Sequence, residues 1–208
     1  MSNNTKEKLY REAFKLFLGK PYELVTVREL EKAIGMTRGA IFYHVKDKET
    51  LFKEVIERYY LKKQTLYEKV GENILEQDVS LLEFIEIFVA GVEKTTKEIY
   101  AFAGSPDKIT FSNIDRSYIS LLLTAGYYLS DFNEKMNNVF QIDRNTWSFF
   151  IQRAIEKGEV KPNTDTKLFG ELFTYTYLGL ALNDALKEGV NAKHLRELLL
   201  ELYNKIKR

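Results

Sequence analysis

Apolar residues recur three and four positions apart along most of this chain, which is the spacing of one buried helix face. The first stripe predicts a helix that Gly19 and Pro21 bring to an end. Its members are Leu9, Ala13, Phe14 and Phe17. A second, shorter stripe runs over Val27–Ile34. Thr26, followed three residues later by Glu29, forms a capping box at its start.

Further helices follow the second stripe. Thr37 caps a third short helix with Ile41 and Val45 facing inward, and Asp47 caps a fourth. The apolar stripe of the fourth helix is Leu51, Phe52, Val55, Ile56, Tyr59 and Tyr60. Longer helices are predicted over residues 80–102, 112–131, 135–157, 166–188 and 192–207. The first two of these are separated by Gly104, Ser105 and Pro106.

The predicted fold class is all-α, because no segment alternates apolar and polar residues as a strand does. Residues 1–48 form a three-helix N-terminal helix-turn-helix domain. Residues 49–208 form a larger helical domain. The chain is 45% hydrophobic and has only 3 prolines, which favours a sizeable core built from long helices.

The segment from Thr26 to Val45 is the most informative part of the sequence. Two short helices meet across Gly35, which tolerates the positive φ of a tight turn without strain. The small side chain of Ala33 allows the two helices to cross closely. This arrangement predicts a helix-turn-helix, and an α-helix of this kind fits the major groove of DNA. The alternative, a helical corner without function, is weakened by the caps and by the basic residues that follow.

Side chains off the buried face of the third helix offer hydroxyl, cationic, aromatic and imidazole groups, and lysines follow directly. The N-terminus of the fourth helix presents free amides that suit a phosphate. Residues 1–48 carry ten Lys/Arg and six Asp/Glu, so this end of the chain is basic. The predicted DNA-binding residues are Thr26, Arg28, Thr37, Arg38, Gly39, Phe42, Tyr43, His44, Lys46 and Lys48.

The stretch LVTVRELEKAIGMTRGAIFYHVKDKETLF, from Leu24 to Phe52, resembles the DNA-binding domain of the TetR (tetracycline repressor) family. The matching positions are Thr26, Gly35, Thr37, Gly39, Tyr43, His44 and Lys48. Phe42 stands where that family usually has tyrosine, so a phosphate-binding hydroxyl is missing there. The resemblance implies a regulator of transcription, with double-stranded DNA as partner and a small molecule as effector. It also implies a homodimer formed by the last two helices.

Aromatic residues are frequent in the larger domain, and at helical spacing they are more often core than pocket. The tyrosine count nevertheless favours a ligand cavity for an apolar or aromatic molecule. The candidate ligand-binding residues are Thr96, Phe102, Phe111, Tyr118, Tyr127, Trp147, Phe150 and Tyr175. The candidate dimer-interface residues are Phe169, Phe173, Tyr177, Leu195, Leu198, Leu199 and Leu202.

Other classes of protein are less well supported. The sequence has no glycine-rich phosphate loop, paired-histidine metal motif or nucleophile elbow, so neither an enzyme nor a cofactor is predicted. It has no cysteine and no signal-like N-terminus, and its longest apolar stretch, Leu172–Leu182, is too short to span a bilayer. A cytoplasmic protein without a membrane partner is expected. The alternative function is a helical adaptor whose helix-turn-helix binds protein.

Overall fold

A computed structural model describes residues 3–103, 111–187 and 189–208, with the side chains of residues 3, 4 and 111–113 outside the description. Helices account for the regular structure of these residues, apart from one isolated antiparallel bridge between Val160 and Lys207. The predicted all-α class is confirmed. The predicted break at Gly104, Ser105 and Pro106 lies outside the described residues.

The N-terminal head begins with three helices: α1 (Asn3–Gly19), α2 (Val27–Ile34) and α3 (Arg38–His44). A short 3-10 turn, Tyr22–Leu24, lies between α1 and α2. Helix α4 starts as the α-helix Lys48–Val55, continues through the π-helical segment Ile56–Leu61 and ends as Lys62–Gln64. It is therefore longer than its apolar stripe predicts, and it leads from the head into the rest of the molecule.

The described part of the body consists of six helices. They are α5 (Leu66–Val70), α6 (Leu81–Ala103), α7 (Phe111–Tyr128), α8 (Phe132–Glu156), α9 (Thr166–Ala185) and α10 (Ala192–Ile206). The five long helices match their predicted ranges closely, whereas α5 and the 3-10 turn Ile74–Glu76 were not predicted. No helix in the described ranges has both the length and the apolarity needed to cross a bilayer.

Two apolar cores hold these helices together. The first joins the buried faces of α1 to α4 with Leu121 and Ala125 of α7, Leu129 directly after α7 and the start of α8. The second lies among α5, α6 and α8 to α10 and contains Trp147. The predicted domain boundary at residue 48 falls in the first turn of α4. Packing of the first core continues across it, so the boundary stays a prediction.

Close backbone contact fixes two pairs of body helices. A Cβ atom added at Gly91 of α6 would lie 2.0 Å from the carbonyl oxygen of Lys69, so α5 sits directly against α6. A Cβ atom at Gly170 of α9 would lie 2.4 Å from the Ser148 hydroxyl and 2.8 Å from the Arg144 carbonyl oxygen of α8. Only glycine permits these approaches, since both clashes involve backbone atoms.

Candidate nucleic-acid interface

The turn between α2 and α3 has the geometry that its sequence predicts. Gly35 adopts φ 72° and ψ 34°, in the left-handed region, and its amide donates to the Glu31 carbonyl. At the start of α2, the Glu29 amide donates to the Thr26 hydroxyl at 3.3 Å. The Glu29 carboxylate in turn accepts from the Thr26 amide at 2.9 Å. The Lys20 ammonium also pairs with the Glu29 carboxylate. Together with the hydrogen bonds from Thr26, this ion pair lowers the pKa of Glu29 to about 2.

Helix α3 is held at both its start and its inner face. The Ala40 amide donates to the Thr37 hydroxyl at 3.3 Å, and the Arg38 amide donates to the Glu31 carboxylate at 2.6 Å. Ile41 is 0% and Val45 is 4% exposed, so the inward positions are as predicted. Ala33, predicted to allow a close crossing of α2 and α3, is exposed.

The outer face of α3 is open to solvent. Tyr43 is 80% exposed, and a Cβ atom added at Gly39 would meet nothing within 4 Å. The other exposed members of the predicted DNA-binding set are Thr26, Arg28, Thr37, Arg38 and Lys46. The half-buried Phe42 ring lies 5.8 Å from the Arg38 guanidinium, close enough for a cation–π contact that steadies the arginine. A cation, hydroxyls and an aromatic edge thus project from one short helix.

His44 occupies a different environment from its neighbours. It is half-buried, and the edge of its ring meets Tyr43 with 5.4 Å between centroids. Its Nε2 atom is enclosed and finds no hydrogen-bond partner among the described residues. A phosphate contact through Nε2 does not fit this position, so such a contact would need Nδ1.

Lys48, a predicted phosphate contact, also bonds within the fold. Its ammonium donates to the carbonyl oxygens of Tyr22 at 2.8 Å and Val25 at 3.0 Å and lies 4.2 Å from the centre of the Tyr22 ring. Burial lowers the pKa of Lys48. Two of its three donors therefore close the turn between α1 and α2, which leaves at most one for a phosphate. The Asp47 carboxylate already accepts from the Thr50 amide at 2.7 Å, so the α4 N-terminus is partly satisfied too.

The predicted ligand-binding residues do not form one pocket. Trp147 stacks on Phe173 and Phe150 stacks on Phe84, with centroids 4.6 Å and 3.9 Å apart, inside the second core. Tyr127 is 83% and Tyr175 is 51% exposed. These rings lie in the core or at the surface of the described chain, and their role in ligand binding stays a prediction. The side chain of Phe111 lies outside the described residues.

The three remaining candidates are dispersed. Thr96 lines a groove of about 520 Å³ between α6 and the start of α10. Phe102 lines an apolar cleft of about 180 Å³ with Phe14 and Tyr59. The Tyr118 ring stacks on Tyr60 with centroids 4.3 Å apart, and burial raises the pKa of Tyr118.

Two buried charges at the α4–α5 break were missed by sequence reasoning. The Lys69 ammonium donates to the Gln64 carbonyl oxygen at 2.9 Å, and Asp143 of α8 accepts from the Leu66 amide at 3.2 Å. Burial lowers the pKa of Lys69 to about 8 and raises the pKa of Asp143 to about 6. Together they cap the end of α4 and the start of α5. In the sequence, each of these residues is an isolated charge within an apolar stripe. That pattern is too common to identify a buried charge.

The predicted dimer-interface residues lie in or against the second core of this chain, and their contact with a second copy stays a prediction. Phe173, Leu195 and Leu199 are each 0% exposed because they belong to the second core of this chain. The other four are only partly buried and pack against the same core: Phe169, Tyr177, Leu198 and Leu202.

A different face of α9 is open and apolar. Its exposed residues are Leu168, Leu172, Tyr175 and Leu182, with Leu186 directly after the helix, between 36% and 65% exposed. Their spacing, completed by Gly179, alternates between four and three residues, which is the repeat of a helix–helix seam.

The fold and the site define a class of protein: a helix-turn-helix with an exposed third helix, carried on a helical body. The family model described as "Bacterial regulatory proteins, tetR family" matches residues 9–55. The head of this chain is therefore similar to the DNA-binding domain of the TetR family.

Curated relatives match the head. One is the repressor Rv1474c of Mycobacterium tuberculosis, 64% identical over 31 residues, which are 15% of this chain and 17% of that protein. Another is the repressor AcnR of Corynebacterium glutamicum, 47% identical over 49 residues, which are 24% of this chain and 26% of that protein. The chain thus matches about a quarter or less of the length of these relatives.

Solved structures are similar over nearly the whole chain. A TetR regulatory protein from Rhodobacter sphaeroides has a TM-score of 0.65 at 17% identity, covering 97% of this chain and 98% of that one. The SmeT–triclosan complex has a TM-score of 0.67 at 18% identity, covering 99% and 93%. At these identities the similarity establishes the fold of the body, not its ligand.

Proposed function

We propose that this chain is a dimeric transcriptional repressor acting in the cytoplasm. It binds a palindromic DNA operator through α3 and leaves the operator when a small apolar or aromatic molecule binds the body. The observation that carries this proposal is the outer face of α3, where Arg38, Thr37 and Tyr43 stand exposed while Ile41 and Val45 anchor the opposite face. A rigid short helix with such side chains suits reading of the major groove.

Dimerisation is supported by the exposed apolar face of α9. A row of leucines and one tyrosine at heptad-like spacing is costly to leave in water, and a second copy of the same helix can cover it. A twofold axis there would present two α3 helices to one side of a duplex. Half-sites about one helical turn, roughly 34 Å, apart would then be read together.

Release is supported by the path of α4. Its first turns belong to the head core, whereas Lys53 pairs with Asp131 at 2.9 Å and Glu57 pairs with Lys135 of α8. A shift of α7 and α8 on ligand binding therefore moves α4 and the head with it. The triclosan held by SmeT, a structure of similar fold, supports a small aromatic molecule as effector. A difference of about 1–3 kcal/mol between two states suffices for regulation.

The proposal is tested by selecting bound sequences from random duplex DNA and then measuring affinity for the selected site. We expect Arg38→Ala to weaken binding to that site by roughly 1–3 kcal/mol and to relax base preference at one position of each half-site. Arg11→Ala, an exposed arginine on α1, serves as the matched control and should leave the preference unchanged.

Absence of an enriched sequence would contradict the proposal. So would an equal loss for Arg38→Ala on selected and random DNA, because that would make Arg38 a general phosphate contact. Retention of a protein partner at high salt, with no DNA retained, would favour the adaptor instead.

A further inference from the structure

A groove of about 220 Å³ lies between the head and the body, where the end of α1 meets α7. One wall runs from Phe17 to Tyr22, the last turn of α1 and the residues after it. The other wall is the α7 face from Arg116 to Thr124. A molecule in this groove touches both parts of the protein at once.

The α7 wall presents free hydroxyl groups. Ser117, Ser120 and Thr124 share one helix face, since they are spaced by three and four residues. Threonines inside the body return their hydroxyls to their own helix; Thr174, for example, donates to the Gly170 carbonyl at 2.9 Å. Ser120 and Thr124 make no such bond to any group in the described part of the chain. These two hydroxyls remain available to a ligand.

The groove also contains the guanidinium group of Arg116, which has few partners within the described residues. The exposed Arg116 guanidinium donates to the Leu186 carbonyl at a long 3.5 Å and forms no ion pair with a carboxylate among the described residues. The adjacent Asp115 accepts a hydrogen bond from the Tyr100 hydroxyl instead. An arginine in this state suits a carboxylate, which it can bind with two parallel hydrogen bonds.

The remaining lining is apolar and aromatic apart from Gly19 and Lys20, and the Lys20 ammonium is already paired with Glu29. Pro21, Leu18 and Leu121 contribute to it, and the Tyr22 ring packs on Phe52 with 4.6 Å between centroids, so its position is fixed. The volume is below the range of about 300–1,000 Å³ typical of drug-sized ligands, which limits the occupant to about one ring with its polar group.

We propose that this groove binds a small aromatic carboxylate. Arg116 holds the carboxylate, Ser120 or Thr124 bonds a second polar atom, and the ring lies against Pro21 and Tyr22. Because one wall belongs to α1 and the other to α7, the bound molecule braces the head in one orientation on the body. Its effect on DNA affinity rests on the function proposed above, whereas its binding does not.

The test uses the full-length protein and fluorine NMR of 4-fluorobenzoate as the probe. We expect saturable binding with a dissociation constant of about 1 mM, as befits so small a ligand. Arg116→Gln should weaken binding at least tenfold. Ser120→Leu, which fills the groove from an exposed helix position without changing charge, should abolish it. Arg11→Gln is the control of matched charge and should bind the probe as the unsubstituted protein does.

Two competitors sharpen the result. The neutral isostere 4-fluorobenzamide should bind at least tenfold more weakly, and inorganic phosphate should not displace the probe at equal concentration. Unchanged affinity in Arg116→Gln and Ser120→Leu, with both variants folded by circular dichroism, would overturn the proposal. Displacement by phosphate would also overturn it, since the site would then recognise any anion.

Operator binding is measured separately, with and without the probe. A change in operator affinity that is lost in Ser120→Leu ties the groove to regulation, and by reciprocity the operator must change probe affinity by the same factor. If the protein binds no operator at all, the proposed function fails while the probe-binding result stands by itself.

Discussion

Lys48 stabilises the fold of the head through contacts within the chain. Its ammonium satisfies two backbone carbonyls, of Tyr22 and Val25, and lies over an aromatic ring. Lys46, two residues earlier, is exposed and has no ion-pair partner among the described residues. The sequence predicts a phosphate contact for both lysines, because both lie in the short basic segment between α3 and α4.

Substitution separates the two lysines. Lys48→Met leaves two carbonyls without their donor, so we expect the free energy of unfolding to fall by about 1.5–3 kcal/mol. Lys46→Met, the matched control, should change it by less than about 0.5 kcal/mol. Urea unfolding followed by circular dichroism measures both values. In DNA binding, Lys46→Met should lower affinity on all sequences and make the salt dependence shallower. Equal stability of the two variants would contradict the internal role of Lys48.

Asp143 gives a pH dependence whose sign follows from its burial. Its pKa is raised to about 6 in the fold, above an unfolded value of about 3.9. The fold therefore disfavours the ionised carboxyl, and the associated loss of stability grows as pH rises from about 4 to about 6 and is complete above that range. An asparagine side chain at this position would keep the oxygen that accepts from the Leu66 amide while removing this ionisation.

We therefore expect Asp143→Asn to gain stability relative to the unsubstituted protein as pH rises from 4 to 7, by roughly 1–3 kcal/mol. The measurement is urea unfolding at several pH values in this window. Glu72→Gln, an exposed carboxylate outside the helices, is the control, and its stability should run parallel to that of the unsubstituted protein. Parallel curves for Asp143→Asn as well would show that its carboxyl titrates normally.

At the scale of elements, the close contact of α5 with α6 depends on Gly91. An added methyl group meets the Lys69 carbonyl at 2.0 Å, and the contact is with backbone rather than with a flexible side chain. Gly91→Ala should therefore destabilise the protein by about 1–3 kcal/mol, although alanine favours helix. Gly39→Ala, on an open helix surface, should instead be neutral or stabilising by up to about 1 kcal/mol. Thermal unfolding of both variants measures this opposite effect.

The elements themselves were largely predictable from the sequence. Caps such as Thr26 and Thr37 bond as predicted, because a cap is decided within three or four residues. The stripe of α1 is fully buried for the same local reason. The length of α4 was not predictable, since its end at Gln64 is set by Lys69 and by Asp143 of distant α8.

Partner choice within the body was the least predictable feature. Helices α9 and α10 are apolar on more than one face, and the sequence does not say which face meets its own chain. Phe173 and Leu199 turned inward, whereas Leu172 and Leu182 remained exposed. The surroundings of the predicted pocket residues were unpredictable for the same reason, because stacking of Trp147 on Phe173 is decided by tertiary packing. The position of a residue along a helix predicts which face of the helix it lies on, but not which other helix packs against that face.

At the scale of the whole molecule, the exposed face of α9 makes a prediction about assembly. Leu168 and Leu186 stand 18 residues apart, so the stripe extends about 27 Å along the helix. Leu182, near the end of this stripe, is 52% exposed. Leu182→Glu places like charges against each other across a twofold seam, and we expect it to convert a dimer to a monomer at micromolar concentration.

Sedimentation velocity measures this change, with Leu123→Glu as the control because Leu123 is a 66% exposed leucine on α7, away from the stripe. The control should remain dimeric. The monomeric variant should keep its circular dichroism spectrum and lose most of its affinity for a palindromic operator, because its two heads no longer bind as one unit. A dimeric Leu182→Glu would place the interface elsewhere, and a monomeric unsubstituted protein would refute the twofold arrangement, since one α3 helix cannot read both half-sites.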